Sequence, residues 1–439
     1  MWRRLLANIV RSGVKPCVAT STSTAAMGAT VMSWEELADL SREKNRPADL
    51  VNGPTTSQAR LRLFGRSEAS DVRVTLYRDH HAWCPYCQKV WLWLEEKRVP
   101  YRVEKVTMFC YGEKEAWYKR LCPRGMLPAL QLDGRLLTES DDIIAALERE
   151  FGPLHTPFEE PAVRRLRNLE RSLFSAWCRW LCYEAMGAKD EEERRQGFVR
   201  VAKMMDRALA DTPGPFFLDE FSVVDCVFVP YVERMNASLF YYKGFVLRDR
   251  GEFPNICRWF EGLEQRETYR GTQSDFHTHC HDLPPQMGGC YESGDGLQAE
   301  CRERVDSCVD FTIPETGVME PRDSRVVALD RFLKHRENIV KVNPLRHQEE
   351  SLDVALRSAL SWLVRGREGE SGHKIAPGLE VGLRYIRDRI NVPRDMPVWS
   401  ARRLREALEM AATTSGSNKQ SQAIPTNHRR DQDPKNFGK

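Results

Sequence analysis

The stretch Trp83-Cys84-Pro85-Tyr86-Cys87 constrains this chain more than any other, because of what flanks it. Residues 71–77 (DVRVTLY) alternate β-branched and polar side chains and predict a strand. Val90, Leu92 and Leu94, with tryptophans between them, predict a helix from the CPYC segment to about Lys97. A cysteine delivered by a strand onto a helix N-terminus meets free N–H groups and the positive end of the helix dipole, which favour a thiolate. Pro85 suits the first helical turn, where its missing N–H costs nothing. Cys87 stands one turn further on, within reach of a mixed disulfide on Cys84. The competing readings are two packed cysteines or half of a zinc site. A zinc site usually wants a second pair at matching spacing, and none follows. Thiol chemistry is therefore the expectation, with Cys84 and Cys87 as its catalytic residues and no metal.

The surrounding pattern predicts a small α/β layer over residues 71–152. Residues 101–106 read as a second strand, and residues 127–132 and 135–138 flank Asp133-Gly134, a hairpin signal. Residues 139–150 close the unit as a helix, and the order of elements fits a thioredoxin-like fold. From Pro161 the apolar spacing turns helical over 161–186, 191–210, 222–239 and 253–267, predicting an all-α second domain over 158–275. Residues 276–320 are rich in Pro, Gly, Cys and His with little period, and read as an irregular linker. An additional helical C-terminal extension is expected over 321–412, with helices at 324–341, 349–364, 378–390 and 400–412. A polar tail at 413–439 is expected to be disordered. Ahead of the sheet, residues 33–70 read as an N-terminal extension or linker with one short amphipathic helix at 33–42.

Residues 72–269 resemble a glutathione transferase of the cysteine-type, omega-like group, and the CPYC itself resembles that of glutaredoxins. The resemblance implies an α/β thioredoxin-like N-terminal domain plus an all-α glutathione transferase C-terminal domain. It implies glutathione as co-substrate, bound by five positions. Met126-Leu127-Pro128 is similar to the family's cis-proline segment, in which the backbone of Leu127 would pair with the glutathione cysteinyl backbone. Glu139-Ser140 matches the family's pair for the γ-glutamyl end, and Lys114 falls where omega-like members carry a lysine near the glycine carboxylate. Ser222 and Asp225 resemble the family's structural capping box. Tyr231, Trp177 and Trp180 are candidates for an electrophile pocket or plain packing aromatics. A second cysteine departs from many omega-like members and favours thiol–disulfide exchange. Glutathione S-conjugation to electrophiles and a non-catalytic ligand-binding or interaction module are the alternatives. The extension resembles one in plant and algal glutathione transferase-like proteins.

A formal net charge of +3 over 439 residues offers no reason to expect nucleic acid as partner. No apolar run approaches the roughly 18–20 residues of a membrane span. The expected partners are glutathione and a small-molecule or protein mixed disulfide, with a homodimer possible. Thirteen scattered cysteines read as mostly reduced thiols. The first acidic residue is Glu35, preceded by Arg3, Arg4, Arg11 and Lys15 and a Ser/Thr/Ala-rich run. That composition predicts an organelle transit peptide over 1–32, or a disordered tail, with chloroplast favoured over mitochondrion or cytoplasm. His277, His279 and His281 would share one side if extended and, with Cys290 nearby, suggest zinc, but match no common zinc spacing. Arg402, Arg403 and Arg405 read as a solvated basic face. His80 and His81 are expected to shape the loop before Cys84, with His80 able to assist thiolate formation.

Overall fold

Helix α1 (Trp34–Lys44) begins the fold with a capping box: the Glu36 N–H donates to Ser33 Oγ at 3.1 Å, and the Ser33 N–H donates to Glu36 at 2.6 Å. This is a computed structural model, and it describes residues 30–366 and 374–417. The expected transit peptide and C-terminal tail therefore lie outside the described residues, apart from 30–32 and 413–417.

The sheet is built from β1 (Leu61–Arg62), β2 (Val74–Asp79), β3 (Tyr101–Val106), β4 (Ala129–Leu132) and β5 (Arg135–Thr138) in the order β1-β3-β2-β4-β5. Helix α2 (Pro85–Lys97) is the crossover between the parallel pair β2 and β3. Helix α3 (Ala116–Leu121) leads towards β4, and α4 (Ser140–Phe151) closes the unit. The β4–β5 turn holds Asp133 at φ 49° and Gly134 at φ 81°, both positive as a tight two-residue hairpin requires. The segment 33–70 is not the linker its composition suggested. Its end supplies edge strand β1, and Arg62 forms a buried ion pair with Glu95 of α2 at 2.9 Å. Thr55 Oγ1 donates to the same carboxylate at 2.7 Å. A Cβ on Gly271 would stand 2.1 Å from the Thr55 carbonyl oxygen, so this strap is pressed against the helical layer.

That layer comprises α5 (Pro161–Leu181), α6 (Ala188–Ala210), α7 (Val223–Lys243), α8 (Pro254–Glu264) and α9 (Glu267–Thr272). Every residue of α7 is buried, which makes it the central post on which α2 and α5 are stacked. It starts on Ser222, whose N–H donates to Asp225 Oδ2 at 2.9 Å, while Trp259 Nε1 donates to Asp225 Oδ1 at 2.8 Å. Burial, opposed by those donors, pushes the Asp225 carboxyl up to about 6. The folded chain therefore holds this proton more tightly than the unfolded chain. The group's contribution to stability is greatest below pH ~4 and falls as pH rises towards 6. Asp225→Asn is expected to flatten that slope, read as the difference between wild-type and variant urea unfolding at pH 4.5 and 6.5.

Residues 276–320 are not an irregular linker. They contain α10 (Phe276–Met287) and α11 (Gly296–Asp306), both packed on α7. Residues 276–284 are all buried, so α10 has no polar face to give it a visible period. Its N-cap is Asp275, which accepts the Thr278 N–H at 2.9 Å. The three histidines accordingly do not line up as on a strand. The His277 and His281 rings meet one turn apart, tilted by 45° with centroids 4.6 Å apart, while His279 Nε2 meets Glu233 Oε1 at 2.7 Å.

The extension is α12 (Ser324–Val342), α13 (Glu349–Arg365), α14 (Glu380–Arg387) and α15 (Val398–Thr413). With α1 it encloses a second hydrophobic core of its own, containing Leu37, Leu329, Phe332, Leu356, Leu363 and Leu404. The arginines of α15 are not a solvated face. Arg402 pairs with Glu315, Arg403 with Glu320, and Arg405 with Asp275, with Arg405 and Asp275 both buried. These carboxylates are 83 to 130 residues away in sequence, so helical spacing within α15 carries no sign of them.

Candidate active site

The loop from β2 to α2 aims Cys84 by three devices. Asp79 Oδ2, at the end of β2, accepts the Trp83 N–H at 2.6 Å, and Ala82 turns with φ 63°. Cys84 is then the N-cap of α2, and the Cys87 N–H donates to Cys84 Sγ at 3.4 Å. From the helical layer, buried Arg234 donates to the Trp83 carbonyl at 2.6 Å and to Gln88 Oε1 at 2.8 Å. The sulfur thus sits at a helix mouth with its loop tied from both sides.

Opposite the sulfur is the loop before β4. Cys84 Sγ lies 4.0 Å from the Leu127 carbonyl oxygen, and Leu127-Pro128 is a cis peptide. Tyr118 Oη donates to the Met126 carbonyl at 2.5 Å and anchors that loop. Cys84 is 5% exposed, while Tyr86, two residues on, and Met126, next to Leu127, are exposed. Met108, Cys110 and Tyr111 pack around it with Trp83 and Cys87.

The remaining sequence candidates fall in distinct places. Cys87 is buried at 1% exposure, and burial, followed by its bond to Cys84, pushes its thiol well above the ordinary range. It is therefore a poor attacking group and a good S–H donor to an anionic neighbour. Lys114 donates to the Thr107 carbonyl at 3.0 Å; burial lowers its ammonium, while the Cys87 and Cys84 sulfurs pull the other way. Ser140 is the buried first residue of α4. Glu139 before it holds φ 63° with its side chain 55% exposed. A left-handed conformation costs a residue with a Cβ roughly 1–2 kcal/mol, a strain that belongs to a place where backbone direction matters. Trp177, Trp180 and Tyr231 are buried in the helical core. Tyr231 alone touches the site's edge, edge-on to Tyr86 with ring centroids 5.9 Å apart. Burial, then Lys105 and Arg394, push His80 down to about 4, so it is neutral at pH 7 and supplies no imidazolium to Cys84. Arg234, Gln88 and Asp79 were not legible as site residues in the sequence, since a lone buried polar side chain gives no local pattern.

Two groups of described residues bring three ligand-type atoms within 4.8 Å of one another: Asp79, Cys84 and Cys87, and His277, Cys308 and Asp388. The first is the thiol site itself, in which Asp79 already accepts the Trp83 N–H. Around the second, Arg387 and Arg405 act on the Cys308 sulfur and Arg387 pairs with Asp388, a setting hostile to a cation.

Known proteins match parts of this sequence. The family model for the glutathione S-transferase N-terminal domain matches residues 83–150, and that for the C-terminal domain matches residues 188–262. Glutathione S-transferase DHAR3, chloroplastic, of Arabidopsis thaliana is 29% identical over 209 residues, covering 47% of this chain and 75% of the relative. Glutathione S-transferase L3 of the same plant is 28% identical over 195 residues, covering 44% and 79%. The crystal structure of Chlamydomonas reinhardtii dehydroascorbate reductase superposes with a TM-score of 0.38 at 19% identity, covering 46% of this chain and 93% of that one.

Proposed function

Since the chain belongs to the glutathione S-transferase superfamily, beside its omega-like members, we propose that it is a glutathione-dependent thiol transferase working through a mixed disulfide on Cys84. The observation that carries the reading is the sulfur itself: N-cap of α2, 3.4 Å from a helix N–H and 4.0 Å from the carbonyl before Pro128.

Glutathione docks its cysteinyl backbone along Leu127 and Pro128 and its γ-glutamyl end on Glu139 and Ser140. Lys114 serves a carboxylate or the anionic sulfur from the far side. The Cys84 thiolate attacks the glutathionyl sulfur of R–S–SG, forming Cys84–S–SG and releasing RS⁻, which takes a proton from solvent. The thiolate of a second glutathione attacks the bound glutathionyl sulfur, giving oxidised glutathione and the free Cys84 thiolate. Cys87 supports the anionic sulfur as a neutral S–H, because burial keeps it from attacking. Protein mixed disulfides, dehydroascorbate and quinone-type conjugates are the substrate classes that such a sulfur serves. No helix among the described residues is long and apolar enough to cross a membrane. A plastid location is part of the proposal, supported by the acid-poor first 34 residues and by a relative named as chloroplastic.

Incubation of the protein with oxidised glutathione, followed by peptide mass spectrometry, tests the reading. One glutathionyl group on Cys84 is expected. An adduct confined to Cys178 or Cys290, both only half-buried, would count against it. Arg234 is a positioning residue for the same step. Arg234→Met leaves the Trp83 carbonyl and Gln88 without their donor, and is expected to destabilise by about 1–3 kcal/mol. It should also lower kcat more than it raises KM for glutathione, since the loop carrying Cys84 is loosened while the Leu127 and Ser140 side is untouched.

A further inference from the structure

A cavity of about 540 Å³ lies where the helical extension meets the sheet, between the end of β3, α12, α14 and the segment before α15. That volume falls in the range of small-molecule sites, about 300–1,000 Å³. None of Cys84, Leu127, Ser140 or Lys114 lines it, and of its lining residues only Lys105 falls within a segment matched by the family models.

Its walls divide into two kinds. Phe332, Ile339, Ile386 and Leu404 present an apolar surface. Lys105, Arg331 and Lys334 add positive charge, and among the described residues none of these three has a carboxylate within ion-pair distance. The cavity's one carboxylate, Asp395, is already paired with Arg394 at 2.8 Å, and Arg331 donates only from Nε, to the Asp395 carbonyl at 2.6 Å. Burial, then Arg78, Arg60 and Arg331, push Lys105 down to about 7. His80 Nδ1 is buried at the same wall with no hydrogen-bond partner. Lys105 and Arg331 are half-buried and Lys334 is exposed, so cationic charge stands beside an apolar wall without a carboxylate to answer it, a combination complementary to one kind of guest.

We infer that this cavity binds an amphiphilic organic anion, its sulfonate, carboxylate or phosphate head between Lys105 and Arg331 and its apolar body against Phe332, Ile339 and Ile386. The head neutralises the cations, and the body removes the apolar wall from water. A bare inorganic anion lacks the second half, and a neutral hydrocarbon lacks the first.

The probes are 8-anilinonaphthalene-1-sulfonate and its uncharged parent N-phenyl-1-naphthylamine, titrated by fluorescence into the full chain with S-hexylglutathione saturating the glutathione groove. The sulfonate is expected to bind about tenfold or more tightly than the uncharged parent. Arg331→Gln should weaken the sulfonate about tenfold, and Ile386→Trp should fill the cavity and abolish its binding. The proposal is overturned if folded Arg331→Gln, checked by circular dichroism, binds like wild type, if the two probes bind equally, or if inorganic phosphate alone displaces the sulfonate. A wild-type measurement stands beside the variants: acetic anhydride labelling of Lys105, read by peptide mass spectrometry. The sulfonate should slow that labelling severalfold, and an unchanged rate also overturns the site.

Discussion

Cys84→Ser is expected to reduce turnover of a glutathionylated peptide by on the order of 10³-fold or more, because it removes the sulfur that the proposed mechanism needs to accept the glutathionyl group. Cys87→Ser, by contrast, should leave turnover near the wild-type value. Cys87 is buried, its thiol is held high by burial, and its N–H, which supports the Cys84 sulfur at 3.4 Å, survives the substitution. The contrast separates two mechanisms that share a motif. A dithiol mechanism needs both sulfurs, so equal losses in the two variants would show that Cys87 resolves the mixed disulfide after all. The serine variant also tests conjugation. If glutathione still binds and a halo-aromatic electrophile reacts better with Cys84→Ser than with wild type, the groove is a transferase groove whose sulfur diverts it to exchange.

Arg405→Leu is expected to be the most destabilising single change in the extension, by about 3–5 kcal/mol. Arg405 is buried, pairs with Asp275 and donates to the Ile390 carbonyl at 2.7 Å, so its loss strands a buried carboxylate and a buried carbonyl together. Asp275 is also the N-cap of α10, which lies against α7. The damage should therefore reach the helical layer as well as the bundle. Equilibrium urea unfolding measures the loss, and the double variant Asp275→Asn/Arg405→Leu should recover part of it. The pH dependence has a definite sign. Burial alone would raise the Asp275 carboxyl, but Arg405 and the Thr278 donors outweigh it and hold the group below its ordinary value. The pair's contribution is fully present above pH ~4 and is lost as pH falls through the lowered native value. The gap between wild type and Arg405→Leu should narrow as pH falls, because without Arg405 burial raises the stranded Asp275 carboxyl and the variant takes up the proton first.

The short-range chemistry of the chain was readable without coordinates. An alternating run before CPYC, a proline at the first helical turn and an Asp-Gly pair between apolar runs are each resolved within a few residues, and β2, α2 and the β4–β5 hairpin stand where those signals lie. The Cys84 position at the helix mouth follows from the same local logic. Helix α10 was not readable, since burial on all sides removes the polar face by which a helix shows its period.

Pairing at long range was also beyond the reach of the sequence. Arg402 and Arg405 are a basic run in sequence and an ion-pair seam in space, because their carboxylates arrive from the loop after α11 and from the start of α10. The strap at 55–62 was a polar linker until Glu95 stood opposite Arg62 and Thr55. The amino-acid order by itself determined which sulfur the helix would present and that the chain would switch from a layered sheet to helices. Only tertiary packing brought Leu127 and Arg234 to that sulfur and left an unanswered cluster of cations beside the extension, because charges and carbonyls from distant segments meet only when the chain has closed.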